Sequence, residues 1–381
     1  MLTYSQTLCR AKYNISAILD HFLILNTEVN LRFMMAFAEI TNLGYKVCSQ
    51  VSIPQLFQKI FKNNYLTILM YHAVVRDPLE VSDYCFVKEL SFREQMIYLR
   101  KHFTVLPLNE AIRRSQKNDL RSPTASITFD DGFQNNYDVA FPILRELGLP
   151  ATIFLCTGLI NTDDTFWYCR LNLALANTQL KKLNWHDYRF DISEKTKKNE
   201  VHAFLKNRLK MYPQRQLIRE LHQIIIDLGD NPEKSIEQDS PFRLLCHESI
   251  AEMYSSGLID YGSHSHTHAI LNLVSKNKRH YELEQPIKVI KYLTGRPPLV
   301  FAYPNGEHND EIISLLQEFG INYALTTIKG GNNNETDPMK LRRYGIGVEM
   351  RLDEFKMTVH HFLEFLTFIF IVLKKLLLTS K

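Results

Sequence analysis

The sequence predicts an α/β fold, built on a mostly parallel sheet with helical crossovers that is either open or closed into a barrel. Three observations lead there. From Leu66 onward, short apolar runs bounded by turn or polar residues alternate with longer segments of helical periodicity, the texture of strands joined by crossover helices. The runs are nearly continuous in apolar residues, as strands covered on both faces of a sheet should be. Four of the runs end in polar residues that have no place in a core, as expected where parallel strands open their carboxyl ends onto one functional face.

The expected strands are Leu66–Tyr71, Ala125–Phe129, Ala151–Leu155, Ile259–Gly262, Leu299–Tyr303 and Tyr323–Thr326. Helices are expected between them at Ser91–Lys101, Val139–Leu147, His247–Ser256, Glu282–Leu293 and Asn309–Phe319. Residues 158–246 break this rhythm. They are rich in helix formers and charges, carry both tryptophans (Trp167 and Trp185), and read as a helical insertion in a loop of a domain spanning 64–350. Such an insertion either shapes access to the site or caps the fold. Residues 1–63 read as a helical N-terminal extension, with apolar residues at helical spacing around Val29–Ile40 and Ile53–Phe61. Residues 351–381 read as a C-terminal apolar helix. Its strongest stretch, Phe362–Leu378, is interrupted by Glu364 and by Lys374 and Lys375. It falls short of the ~20 apolar residues of a spanning helix, which leaves a core-closing helix or peripheral membrane contact.

Composition bounds the function. With 45% hydrophobic and 23% charged residues in 381, the chain has the balance of a globular protein with a sizeable core. A net charge of +4, from 45 basic and 41 acidic residues, is too small to point to nucleic acid. The six cysteines form no Cys-x-x-Cys pair and read as reduced, mostly buried thiols. Ile15–Leu25 is apolar but interrupted by Asp20 and His21, with no small-residue cleavage site after it. The expected location is therefore cytoplasmic, with membrane association as its variant, and the paired Met34 and Met35 offer a later start.

The strand ends carry the chemistry. The first runs into His72, the second into Asp130-Asp131-Gly132, the fourth into Ser263-His264-Ser265-His266-Thr267-His268, and the fifth into Pro304-Asn305-Gly306. Alone, Asp-Asp-Gly is an ordinary turn. In a cleft, adjacent aspartates raise one another's pKa, and a bound dication resolves this by taking one carboxylate as ligand while the other stays free as a base. His264 and His268 are four apart, as metal-binding pairs on one face of a helical turn are. Imidazole with carboxylate suits zinc and similar divalent ions, and two histidines with one aspartate leave positions open for water and substrate.

These segments resemble the signatures of the polysaccharide deacetylases, the NodB-homology or carbohydrate esterase family four group. Thr128-Phe129-Asp130-Asp131-Gly132 is similar to the first signature, and His264-Ser265-His266-Thr267-His268 to the second, His-Ser/Thr-x-x-His. Phe301-Ala302-Tyr303-Pro304-Asn305-Gly306 resembles the third in one branch, as do Leu66–His72 and Leu341–Ile346 their counterparts there; the resemblance covers about residues 65 to 350. It implies a distorted (β/α) barrel with fewer than eight strands. It also implies Asp130 as base, Asp131, His264 and His268 as ligands of a divalent metal, most simply Zn2+, and the Tyr303 backbone N–H, beside Pro304, as donor to the oxyanion. His266 occupies a variable position and receives no role.

Two departures stand out. Many members begin the third motif with an arginine that orients the catalytic aspartate, whereas this stretch begins with Phe301; Arg343 is the candidate substitute from another strand end, with a surface arginine as the alternative. The late motif that supplies a histidine general acid is not evident, and His72 is the candidate in its place. The function expected is removal of N-acetyl groups from an amino-sugar glycan or lipid-linked sugar in cell-envelope or exopolysaccharide biosynthesis. The alternatives are deformylation of an undecaprenyl-linked amino sugar and a non-catalytic carbohydrate-binding relic of the same fold.

Overall fold

The computed structural model describes residues 65–362. The expected N-terminal extension and nearly all of the apolar stretch Phe362–Leu378 lie outside those residues. The chain divides into two compact units, residues 64–350 and a second made of 1–63 with 351–381. Within the latter, the described helix is Leu352–Val359. No helix of the described residues is long and apolar enough to cross a membrane.

The unit 64–350 is built on one parallel sheet. Its strands are β1 (Leu66–Tyr71), β4 (Thr104–Val105), β5 (Thr124–Phe129), β6 (Ala151–Leu155), β9 (Ile259–Ser263), β10 (Val300–Ala302), β11 (Tyr323–Leu325) and β12 (Tyr344–Gly345). The order is β11-β10-β9-β6-β5-β1-β12, with β4 against the start of β5. Two short strands, β2 (Ala73–Val75) and β3 (Phe86–Lys88), pair separately beside it. Every residue of β1, β5 and β6 is buried, the burial on both faces that their unbroken apolar runs foretold. The few polar residues inside are bonded: Thr128 Oγ1 donates to the Leu69 carbonyl at 2.7 Å and Ser126 Oγ to that of Leu106 at 2.9 Å.

The sheet curls until a single segment joins its edges. Leu341 bridges to Leu325 of β11, and a few residues later Tyr344 and Gly345 pair with Leu69 and Met70 of β1. Seven strands thus complete the ring, in agreement with the expected distorted barrel of fewer than eight. Gly262 shows how tightly it is wound. A Cβ there would lie 2.4 Å from the Phe154 ring, so only glycine lets β9 and β6 approach this closely.

Helices cover the sheet: α1 (Glu89–His102), α2 (Leu108–Gln116), α3 (Phe141–Leu147), α7 (His247–Ser255), α8 (Lys276–Thr294) and α9 (Asp310–Glu318), of which all but α2 lie where the periodicity anticipates a helix. The Ser275 and Asn309 side chains cap α8 and α9 by accepting the N–H groups of Lys278 and Ile312. α8 therefore starts six residues before the apolar pattern suggests.

The insertion contains α4 (Trp167–Asn177), α5 (Lys195–Leu209) and α6 (Gln214–Asp227), together with a hairpin of β7 (Lys182–Trp185) and β8 (Tyr188–Asp191). The hairpin corrects the expectation of an all-helical segment. Its signal is the alternation of exposed Lys182 and Asn184 with buried Leu183 and Trp185. Leu175, Leu183, Trp185, Leu205, Leu221 and Ile224 form a core within the insertion, which Val81 joins from outside it.

Candidate active site

The carboxyl ends of β1, β5, β9 and β10 do converge. At the end of β5, Asp130 N–H still bonds the Tyr71 carbonyl at 2.9 Å, so Asp130 continues the ladder into the barrel. The chain then turns sharply through two left-handed residues, Asp131 (φ 77°) and Gly132 (φ 76°). A side chain on Gly132 would meet Leu155 Cδ2 at 2.9 Å. The turn sends the two neighbouring carboxylates to different partners.

Asp130 is buried against Arg343. The guanidinium grips it two-pronged, Nη1 to Oδ1 at 2.6 Å and Nη2 to Oδ2 at 2.8 Å, while Nε donates to the Thr326 carbonyl at 3.0 Å. Arg343 is fully buried and lies over the Phe154 ring inside the barrel. Burial alone would raise the Asp130 pKa, but the Arg343 charge, with His264 and His72 adding to it, holds the carboxyl well below the usual carboxylate range. The arginine absent from position 301 is thus supplied from the closing strand. Phe301 packs instead with Tyr303, Ile312 and Leu316.

Asp131 faces the histidines. Its Oδ1 lies 3.5 Å from His264 Nε2 and 3.5 Å from His268 Nε2. That oxygen is buried without a hydrogen-bond partner among the described residues, whereas Oδ2 accepts from Tyr168 Oη at 2.8 Å. His264 donates through Nδ1 to the Ala302 carbonyl at 2.7 Å, which leaves Nε2 as the lone-pair nitrogen. Burial pushes both imidazoles down to about 4, so they are neutral at neutral pH, and burial also raises the Asp131 pKa. Three ligand atoms within 4.8 Å of one another, one an orphaned carboxylate oxygen and two on neutral imidazoles, form a set that fits a divalent ion.

The histidine loop is strained and clamped. Ser265 (φ 64°) and His268 (φ 57°) are left-handed without being glycine, a conformation costing on the order of 1–3 kcal/mol each. Glu282 of α8 offsets this by accepting the His266 and Thr267 N–H groups at 2.9 and 2.8 Å and the Thr267 hydroxyl at 2.7 Å. His266 itself places Nδ1 3.0 Å from Thr157 Oγ1.

His72 lines the same cleft as Asp131 and His268. Asn136 Nδ2 holds its carbonyl at 2.7 Å, and its Nδ1 is buried without a partner among the described residues. The third motif requires a correction. The Tyr303 N–H, expected as oxyanion donor, bonds the Leu325 carbonyl at 3.0 Å, because β10 pairs with β11 there. The Tyr303 hydroxyl donates to Met339, and Pro304, which has no N–H, is buried. The motif reaches the cleft through Asn305.

Sequence reasoning missed Tyr168, Glu282 and the cleft wall, which comes largely from the insertion: Trp167, Tyr168, Lys206, Lys210 and Tyr212. Polar and aromatic residues on a helical insertion look like any exposed helix face. Only the clustering of aromatic residues at its start, Phe166-Trp167-Tyr168, hints otherwise.

The model of the polysaccharide deacetylase family matches residues 117–324. The chain belongs to the polysaccharide deacetylase family. It is a hydrolase of N-acetyl amide bonds. Among curated relatives this deacetylase is similar to the poly-beta-1,6-N-acetyl-D-glucosamine N-deacetylase of Staphylococcus epidermidis, at 29% identity over 305 residues, 74% of this chain and 79% of that one. It also resembles the enzyme of the same name from Staphylococcus aureus, at 24% over 222 residues, 57% of this chain and 72% of that one. In fold the deacetylase matches Streptococcus pyogenes deacetylase PplD, with a TM-score of 0.52 at 18% identity over 77% of this chain and 98% of that one. It matches IcaB from Ammonifex degensii with a TM-score of 0.50 at 18% identity over 77% and 95%.

Proposed function

We propose that the protein is a metal-dependent N-deacetylase of a β-1,6-linked N-acetylglucosamine polymer, acting in exopolysaccharide or cell-envelope biosynthesis. One observation carries the metal part: the orphaned Oδ1 of Asp131 facing His264 Nε2 and His268 Nε2. The substrate rests on the names of the staphylococcal relatives. A divalent ion held by Asp131, His264 and His268, most simply Zn2+, would supply Lewis-acid polarisation of the amide carbonyl and a lowered pKa for water.

The remaining roles fall to this chain's own groups. Asp130, kept ionised and fixed in orientation by Arg343, takes a proton from the attacking water. His72, which lines the cleft beside Asp131 and His268, gives a proton to the departing amine. Tyr168 occupies one oxygen of Asp131 and so presents the other to the ligand position.

The test is acetate release from β-1,6-linked N-acetylglucosamine oligomers by the metal-loaded full-length protein. No release with metal bound would overturn this reading. Peripheral membrane contact through Phe362–Leu378 is a separate proposal, tested by fractionating cells that express the chain with and without residues 360–381. Equal partitioning of the two would count against it.

A further inference from the structure

Hydrolysis breaks the amide C–N bond, water supplies the oxygen of the released acetate, and the amine left on the sugar takes up protons. Each turnover therefore converts a neutral sugar into a cation. The carboxylates near this product are already committed, Asp130 being paired with Arg343. Among the described residues lining the cleft, Asp131 is the only carboxylate, and Asp131 belongs to the proposed metal site.

The charge on the wall has the opposite sense. Lys206 Nζ is matched by Asp83 Oδ2 at 2.6 Å. Lys210, one helical turn further on, forms no ion pair among the described residues. Burial and the neighbouring Lys206 charge lower its pKa, with Cys85 and Asp83 opposing them. Aromatic faces attract ammonium groups, but those of Tyr84 and Tyr168 already have Lys206 Nζ 6.0 Å from each ring centroid. Trp167 and Tyr212 also line the cleft and offer their faces to a sugar ring of either kind.

We propose that Lys210 makes the cleft read the acetylation state of the sugars beside the reacting one, accepting N-acetylated neighbours and repelling those already deacetylated. This rests on the deacetylase reading above and deepens it. A unit next to a finished one becomes a poor substrate, so removal of acetyl groups along a polymer is scattered rather than contiguous. Lys210 is thus a specificity-determining residue and takes no part in the chemical step.

The probes are a β-1,6-linked N-acetylglucosamine pentamer and the same pentamer carrying one glucosamine unit at its centre. Binding is measured by calorimetry on the full-length Asp130→Asn protein, and acetate release on the wild type, at low and at high salt. At low salt the mixed pentamer is expected to bind and react about tenfold more weakly, and the gap should narrow as salt screens the charges. Lys210→Gln should bring the ratio of the two pentamers towards one, and Lys210→Glu should invert it. Equal affinity of the two pentamers for the Asp130→Asn protein, or a ratio that Lys210→Glu leaves in place, would overturn the proposal. Failure of the deacetylase reading looks different: both pentamers bind, and the wild type hydrolyses neither.

Discussion

Arg343 and Asp130, 213 residues apart in the chain, meet inside the barrel as a buried two-pronged ion pair at 2.6 and 2.8 Å. The pair fixes both the charge and the direction of the aspartate. Arg343→Lys keeps the charge but loses the planar fork, so kcat/KM should fall about 100-fold through misplacement of the carboxylate. Arg343→Gln leaves a buried carboxylate alone and should cost about 3–5 kcal/mol of stability, measured by denaturant unfolding. Because Arg343 is what holds the Asp130 pKa down, its loss should move the acid limb of the pH–rate profile to higher pH. An unmoved acid limb would show that another group sets it.

The two adjacent aspartates should separate cleanly by mutation. Asp130→Asn is expected to lower turnover by a factor on the order of 10²–10⁴ while metal content is retained. His264→Ala is expected to lose both. Metal stoichiometry measured beside acetate release decides the matter, and a metal-free Asp130→Asn protein would reverse the roles assigned to Asp130 and Asp131.

Tyr168→Phe deletes one hydroxyl and the 2.8 Å bond to Asp131 Oδ2. Loss of such an outer partner typically weakens metal binding about 10–100-fold, which competition with a chelator can read. An affinity equal to that of the wild type would mean that Asp131 Oδ1 keeps its direction without the phenol.

The Asp83–Lys206 pair predicts a pH dependence of stability. Asp83 is 5% exposed and the Lys206 side chain 16%. Burial opposes the charge on each, yet the pairing prevails, with the Asp83 pKa lowered and that of Lys206 raised. A lowered carboxylate pKa gives stability that is present above the unfolded value of about 3.9 and lost as pH falls through the folded one. A raised lysine pKa gives stability that is present below about 10.4 and lost as pH rises through the folded value. Unfolding free energy should therefore fall on both sides of that window. In Lys206→Met the acid-side fall attributable to Asp83 should shrink, as chemical denaturation across pH would show.

Much of this architecture is legible in the chain. The first and third expected strands, Leu66–Tyr71 and Ala151–Leu155, match the structure residue for residue, because strands buried on both faces must be apolar throughout. Asp131, His264 and His268 come together because their strand ends share one face of a parallel sheet. β12 shows no periodicity, since two residues, Tyr344 and Gly345, are too few, and only the motif resemblance of Leu341–Ile346 marks it. Tyr303 misleads for a different reason: motif position does not reveal whether a backbone N–H has already been taken by a neighbouring strand. The cleft wall was illegible because its residues become neighbours of the site only through the packing of the insertion, which no local pattern encodes.

The closing segment has a consequence for how the protein matures. Arg343 lies on Leu341–Gly345, which joins β11 to β1 and is the last part of the barrel to leave the ribosome. Until it docks, Asp130 has no partner, and contacts of such long sequence separation form slowly. A chain halted before this segment can present the histidines and Asp131 while the Asp130 carboxylate has no guanidinium to orient it. The direction of the Asp130 carboxylate is therefore settled only when the ring is finished.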